Sequence, residues 1–208
     1  MTGDTDPLHV TLHATGRFVW EHLPSVIAVS VAWFVASLPV VTVGPATLGA
    51  YRAVLSLRDG DGLDTDAVAA TVREQFVHAT LLGLLPLAFL AVAVNYALAS
   101  LSTGALTPGL LAVAGLYAAV YVWLVLVPTF VALARGAEVT DALWTGFRWT
   151  AGHALATVVL GMLTAALLAA TSVLTVAAVL VFAGAACSFH VEFIAATDER
   201  ILDPIPQP

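Results

Sequence analysis

Lysine is absent from the sequence, cysteine occurs once, and charged residues of every kind make up only 10% of its 208 residues. Soluble domains carry about 25% charged residues, which keep their surfaces in water. Hydrophobic residues reach 60%, and the mean hydropathy is +0.97. The composition therefore excludes an ordinary soluble enzyme, a disordered tail and a disulfide-stapled secreted module. It predicts an integral membrane protein in contact with the lipid bilayer.

The charges that remain are 14 acidic residues and seven basic ones, all of them arginine. The resulting net charge of −7 argues against nucleic acid as a partner. An acidic chain without lysine is typical of a halophilic proteome, although a GC-rich genome also replaces lysine with arginine. The single Cys187 lies in an apolar run and has no second cysteine with which to form an internal disulfide.

Three long stretches without Asp, Glu, Arg or Lys predict the membrane-spanning segments. They comprise 30 residues before Arg52, 60 residues before Arg135 and 43 residues before Glu192. A helix crosses the hydrocarbon core with about 20 residues, so the two longer stretches each predict two crossings and a turn. The predicted crossings are 78–100, 110–134, 151–170 and 173–196, with turns at 100–104 and near 169–172.

The shortest stretch contains a predicted structural break at Pro39, Gly44 and Pro45. Proline inside a helix removes a hydrogen bond and clashes with the preceding turn, so the helix that begins near residue 23 should stop there. A separate short helix is expected from about residue 46 to residue 57. Two interpretations follow: one kinked span, which gives five membrane segments, or a chain that turns back at the break, which gives six.

An internal repeat favours the second interpretation. Residues 65–79 and 140–154 share six identical positions at equal spacing, and each copy precedes a long apolar stretch. The aspartate of each copy, Asp66 or Asp141, is predicted to be a helix N-cap. A fainter third copy precedes the first helix. The chain is therefore predicted to be an all-α integral membrane protein, one domain of three consecutive helical hairpins at 17–57, 66–135 and 141–197.

The distribution of arginine predicts the orientation in the membrane. If the first hairpin returns, all seven arginines lie on or near one side, whereas five spans would leave Arg17 alone on the other. The positive-inside rule assigns the arginine-rich side to the cytoplasm. A multi-pass protein of the cell membrane is therefore expected, with its C-terminus and its N-terminus in the cytoplasm.

Residues 37–51 read Ser-Leu-Pro-Val-Val-Thr-Val-Gly-Pro-Ala-Thr-Leu-Gly-Ala-Tyr, and this segment resembles the signature of the YesL-like membrane proteins. The resemblance extends to residues 73–79, which keep Arg73 and Phe76 but lack the family's run of Lys and Asn. It implies a membrane protein without an established activity. It also implies an accessory role beside carbohydrate uptake and breakdown systems, with transport-system subunits as partners.

The motifs of membrane enzymes are missing from the sequence. It has no His-Glu-x-x-His zinc motif, no Gly-x-Ser-x-Gly nucleophile elbow and no phosphate-binding glycine-rich loop followed by lysine. The acidic loop that starts at Asp59 resembles a calcium loop, but Ala70 occupies its twelfth position, where an EF-hand requires glutamate. No catalytic residue, metal or cofactor is therefore predicted.

Two charges embedded in apolar sequence form the candidate site. Arg52 lies in the predicted short helix, and Glu192 lies near the inner end of the last predicted span. An ionisable residue inside a membrane is costly and usually has a partner. Because their predicted depths match, Arg52 and Glu192 are predicted to form an intramembrane ion pair.

Together these observations predict a non-enzymatic accessory or scaffold component of a membrane system, linked by the resemblance to carbohydrate uptake. The alternative is a small secondary transporter or channel, which internal repeats and a broken helix would suit. The scarcity of polar groups near the bilayer midplane argues against that alternative.

Overall fold

The computed structural model describes residues 20, 22–60, 62–173 and 186–194, which form helices without a strand among them. The helices in chain order are α1 (Leu23–Ala36), α2 (Val43–Asp59), α3 (Thr65–Glu74), α4 (Phe76–Thr103), α5 (Leu106–Ala134), α6 (Val139–Gly152) and α7 (Ala154–Val173). A short 3-10 turn, Val40–Thr42, lies between α1 and α2. Residues 186–194 form a further helix, α8. The predicted all-α class is confirmed for this part of the chain.

Three segments of the described chain are long and apolar enough to span a membrane: Val40–Asp59, α4 and α5. The helices α6 and α7 qualify as a fourth if they form one broken span, bent by 99° at His153. Helix α1 has 14 residues, fewer than a full crossing requires. The protein is therefore a membrane protein with three or four candidate spans among the residues described, and the predicted crossings at 78–100 and 110–134 coincide with α4 and α5.

Helices α4 and α5 fold back on each other through a two-residue connection, and we call them the α4–α5 hairpin. Gly104 ends α4 with a φ of 66°, a left-handed conformation that glycine adopts without steric cost. The two helices pack closely, because a Cβ on Gly115 of α5 would lie 3.2 Å from the Cα of Ala93 on α4. In the half of the hairpin nearest the turn, only Ala93 and Ala119 are buried. This half therefore exposes most of its apolar surface.

The break between α1 and α2 covers residues 37–42 and includes Pro39. The hydroxyl of Thr42 lies 2.5 Å from the carbonyl oxygen of Ala36 and 2.7 Å from that of Pro39, so it caps the end of α1. Gly44 and Pro45, which were expected to belong to the break, instead lie in the first turn of α2. Proline is tolerated there because the first amides of a helix have no partner within it.

Gly44 has a packing role in place of the predicted breaking role. A Cβ at this position would overlap the carbonyl oxygen of Ala79 on α4, and a Cβ on the facing Gly83 would lie 2.5 Å from the Cα of Gly44. Small residues let membrane helices approach this closely. The start of α2 is thus fixed against the first turns of α4.

The two copies of the sequence repeat form the same arrangement, a short helix followed by an interruption and a longer apolar helix. The interruption falls at Gln75 between α3 and α4, and at His153 between α6 and α7. The predicted caps are wrong, because Asp66 and Asp141 lie inside the first turns of their helices. Asp64 caps α3 instead, accepting a 2.9 Å hydrogen bond from the amide of Ala67.

The predicted turn near 169–172 is also wrong, since α7 continues without interruption to Val173. That stretch contains alanine, threonine and serine but neither glycine nor proline. Alanine is the best helix former, so the length of the apolar run was a poor guide to the position of the turn. The predicted crossing at 173–196 lies largely outside the described residues.

We expect Gly44→Ala to destabilise the protein by about 1–3 kcal/mol, the usual cost of overpacking a close contact, because the new methyl group would overlap the backbone of α4. Thermal unfolding of the detergent-purified protein measures the effect. Gly152→Ala is the matched control, since nothing lies within 4 Å of a Cβ at that position. Equal melting temperatures for the two variants would contradict the packing role of Gly44.

Candidate functional site

Helix α8 lies at the centre of the described bundle. Eight of its nine residues are buried, and Glu192 is the exception. His190 is 4% exposed and Ser188 is 1% exposed, although the helix is otherwise apolar. A buried polar side chain destabilises the fold unless it is hydrogen-bonded, so the partners of His190 determine whether this helix is stably placed.

His190 bridges two helices that are far apart in sequence. Its Nδ1 lies 2.5 Å from the hydroxyl of Tyr51 on α2, and its Nε2 lies 2.8 Å from the hydroxyl of Thr164 on α7. Thr164 in turn donates to the carbonyl oxygen of Leu160 at 2.8 Å. We call Tyr51, Thr164 and His190 the His190 clamp.

The directions of these hydrogen bonds define one tautomer of the imidazole. The single hydroxyl hydrogen of Thr164 is used by Leu160, so its oxygen must accept from the Nε2–H of His190. The neutral ring then offers Nδ1 as an acceptor, and the hydroxyl of Tyr51 donates to it. Every polar hydrogen of the clamp has an acceptor, and the imidazole is left with no unused hydrogen-bonding position.

Aromatic rings enclose the clamp. Tyr51 stacks on His190 with ring centroids 5.9 Å apart, and the rings of Trp123 and Phe189 approach it edge-on at 6.5 and 6.2 Å. The nearby Cys187 is a free, buried thiol. Within the described parts of the chain, no group of three or more His, Cys, Asp or Glu side chains could hold a metal ion. Because both ring nitrogens of His190 are hydrogen-bonded to described residues, the clamp is a closed link between α2, α7 and α8.

A charged pair holds the same helix two residues further on. The Nε of Arg58 on α2 lies 3.3 Å from Oε1 of Glu192, and its Nη1 donates to the carbonyl oxygen of Val191 at 3.5 Å. Next to it, Arg135 at the end of α5 makes two hydrogen bonds to the carboxylate of Asp59, at 3.1 and 3.3 Å. The C-terminal ends of α2 and α5 and the helix α8 are therefore linked at one polar end of the bundle.

The predicted pair of Arg52 with Glu192 is replaced by this pair of Arg58 with Glu192. Residues 51, 55 and 58 follow one stripe of a helix, and both Tyr51 and Arg58 on that stripe contact α8. Arg52 lies about 100° around the helix from Tyr51, so it projects to another side. Charge and depth identified the correct acid and the correct helix, but the face of the helix decided which arginine pairs.

Asn95 of α4 and Tyr117 of α5 lie on opposite outer edges of the α4–α5 hairpin. The two helices touch at Ala93 and Gly115. Asn95 is two residues after Ala93 and Tyr117 is two residues after Gly115, and two residues turn an α-helix by about 200°, so both side chains point away from the contact. Both side chains are exposed, Tyr117 to 71%, and Tyr121 stacks on Tyr117 with centroids 6.3 Å apart. The side chains of these three residues make no hydrogen bond to another described residue.

Sequence reasoning did not find the His190 clamp. Its signal was present, because Tyr51, Thr164 and His190 are polar residues within apolar runs. Tyr51 and His190 are 139 positions apart, however, and one sequence gives no indication of which distant polar residues meet.

The helices, their apolar surfaces and the closed interior link define an α-helical membrane protein. No family model, no curated protein and no solved structure matches the chain. The resemblance of residues 37–51 to the YesL-like proteins therefore stays a prediction.

We expect non-additive effects at the charged pair. Arg58→Leu and Glu192→Leu should each destabilise the protein by about 1–3 kcal/mol, less than the 3–5 kcal/mol of a fully buried pair, because the two side chains are 27% and 21% exposed. The double variant should recover much of the loss, since neither charge is then left alone. Unfolding in detergent measures all three variants.

Arg52→Leu is the matched control, because Arg52 forms no ion pair with another described residue. It should change stability far less than Arg58→Leu does. Additive losses in the double variant, or equal losses for the two arginine variants, would contradict the assignment of the pair.

Proposed function

We propose that this protein is a non-enzymatic accessory or scaffold component of a membrane system, which binds other membrane proteins through the outer edges of the α4–α5 hairpin. One observation carries the proposal: Asn95 and Tyr117 have hydrogen-bonding groups that face outward from long apolar helices without a partner in the described chain. Polar groups in this position can form hydrogen bonds with a second membrane helix.

The length of the helices places these side chains within the hydrocarbon. Any window of roughly 20 residues in α5 includes residues 115–125, and any such window in α4 includes residues 84–95. Tyr117, Tyr121 and Asn95 therefore lie inside the span wherever its boundaries fall. Lipid chains offer no hydrogen bond, and a bond between membrane helices contributes about 1–2 kcal/mol in model peptides.

The interior of the bundle supports a non-enzymatic role. The imidazole of His190 is the buried group best suited to acid–base chemistry, but both of its nitrogens are used by Tyr51 and Thr164. The rings of Trp123 and Phe189 pack against it edge-on. The clamp therefore serves to hold α8 in place.

The orientation is part of the same proposal: a protein of the cell membrane, built from three helical hairpins, with both termini in the cytoplasm. Its support is the grouping of Arg58 and Arg135 at one polar end of the bundle, where the positive-inside rule expects the cytoplasm. The partners would be transport-system subunits, with a link to carbohydrate uptake through the YesL-like resemblance of residues 37–51.

A small secondary transporter or channel is the second candidate, and one feature favours it. A groove of about 630 Å³ lies between α1, α2 and α3 beside the helix break, a position at which transporters bind their substrates. Its lining is almost entirely apolar, with Thr42 and Thr65 as its hydroxyl groups. Recognition of a sugar needs several convergent polar groups, so the groove suits an apolar solute better and ranks behind the scaffold role.

Site-specific photo-cross-linking in native membranes tests the scaffold role. A photoreactive phenylalanine analogue at position 113, one turn before Tyr117 and 67% exposed, leaves the Tyr117 hydroxyl in place. It should give a discrete adduct with another membrane protein, which mass spectrometry identifies. The same analogue at Leu155 of α7, which is 80% exposed and carries no hydrogen-bonding group, is the control and should give lipid adducts. Lipid adducts alone at both positions would contradict the proposal.

A further inference from the structure

We propose that the α4 edge of the hairpin, formed by Leu87, Ala91, Val94, Asn95 and Leu98, binds a second copy of this chain in a two-fold contact with Asn95 at its centre. The inference rests on the proposed function, because it takes the hairpin to be a docking element. It adds that the α4 edge binds a second copy of the chain.

The spacing along the α4 edge is that of a helix–helix seam. Ala91, Asn95 and Leu98 recur at intervals of four and three residues, the average of 3.5 that keeps one face against a left-handed partner helix. Together with Leu87 and Val94 they line a shallow depression on the outside of α4. Ala91, one turn before Asn95, leaves room for close approach.

Asn95 determines which partner fits this seam. Its amide carries both hydrogen-bond donors and an acceptor, so the same amide on a second copy can form two reciprocal N–H···O hydrogen bonds with it. A two-fold contact brings identical residues together at its axis, and it is the commonest symmetry of homo-oligomers. The α4 edge carries no charge, so it requires no oppositely charged partner.

The single asparagine also explains why the contact would be specific. One buried Asn in an otherwise apolar seam fixes the register and favours two strands over higher assemblies. Tyr117 lies on the opposite edge of the hairpin. A dimer through α4 would therefore leave the α5 edge of each copy free for the partner of the proposed function.

Self-association of the full-length protein in liposomes tests the inference. Two samples carrying donor and acceptor fluorophores on N-terminal tags are co-reconstituted over a range of lipid-to-protein ratios, and energy transfer gives the dimer dissociation constant. Asn95→Leu should raise the dimer dissociation constant about five- to thirty-fold, because it removes a hydrogen bond between membrane helices. Asn95→Gln, which keeps the amide, should restore much of the association.

Tyr117→Phe is the control on the opposite edge and should leave the dissociation constant unchanged. Because Asn95 is exposed in the single chain, the Asn95→Leu monomer in dilute detergent should melt at the temperature of the wild-type monomer, which excludes misfolding as the cause. A wild type that stays monomeric at every ratio, or a dimer that is as strong with Asn95→Leu, would overturn the inference.

The two proposals fail separately. Monomeric protein that still gives discrete protein adducts at position 113 would overturn the dimer and leave the scaffold role in place. A dimer that depends on Asn95, in membranes where position 113 gives lipid adducts alone, would support the dimer and contradict the scaffold role.

Discussion

Hydrocarbon offers no hydrogen bonds, so each polar group inside a membrane protein depends on another part of the chain, and His190 shows how strongly this requirement can fix a fold. Its two ring nitrogens join Tyr51 of α2 to Thr164 of α7 through α8. Arg58 and Glu192 fasten the same helix two residues further on. Apolar packing in lipid is weakly directional, and these few polar contacts select one arrangement of the helices.

The α4–α5 hairpin differs from this interior. Near its turn the two helices bury little beyond Ala93 and Ala119, and Asn95 and Tyr117 face outward without partners in the described chain. The polar contacts that hold α8 are satisfied within the protein, whereas the polar groups on the hairpin edges have no partner in the described chain. The proposed scaffold role rests on this difference.

The sequence predicted well what depends on local chemistry. The length of the charge-free stretch predicted α4 and α5, and Pro39 predicted the break after α1. Both predictions depend on burial and backbone hydrogen bonding, which act on neighbouring residues. It predicted poorly what depends on three-dimensional approach. Gly44 was interpreted as a breaker because its contact with Ala79 is invisible along the chain. Arg52 was predicted to pair with Glu192 because depth was considered and the helix face was not.

The tautomer of His190 tests the central claim most directly, that the interior link is closed. Nitrogen-15 spectra of histidine-labelled protein in lipid, assigned by comparison with His190→Gln, distinguish a protonated ring nitrogen from an unprotonated one. The account predicts a neutral ring at neutral pH, with the proton on Nε2 and with Nδ1 accepting from Tyr51. A proton on Nδ1, or a ring protonated at both nitrogens, would contradict it.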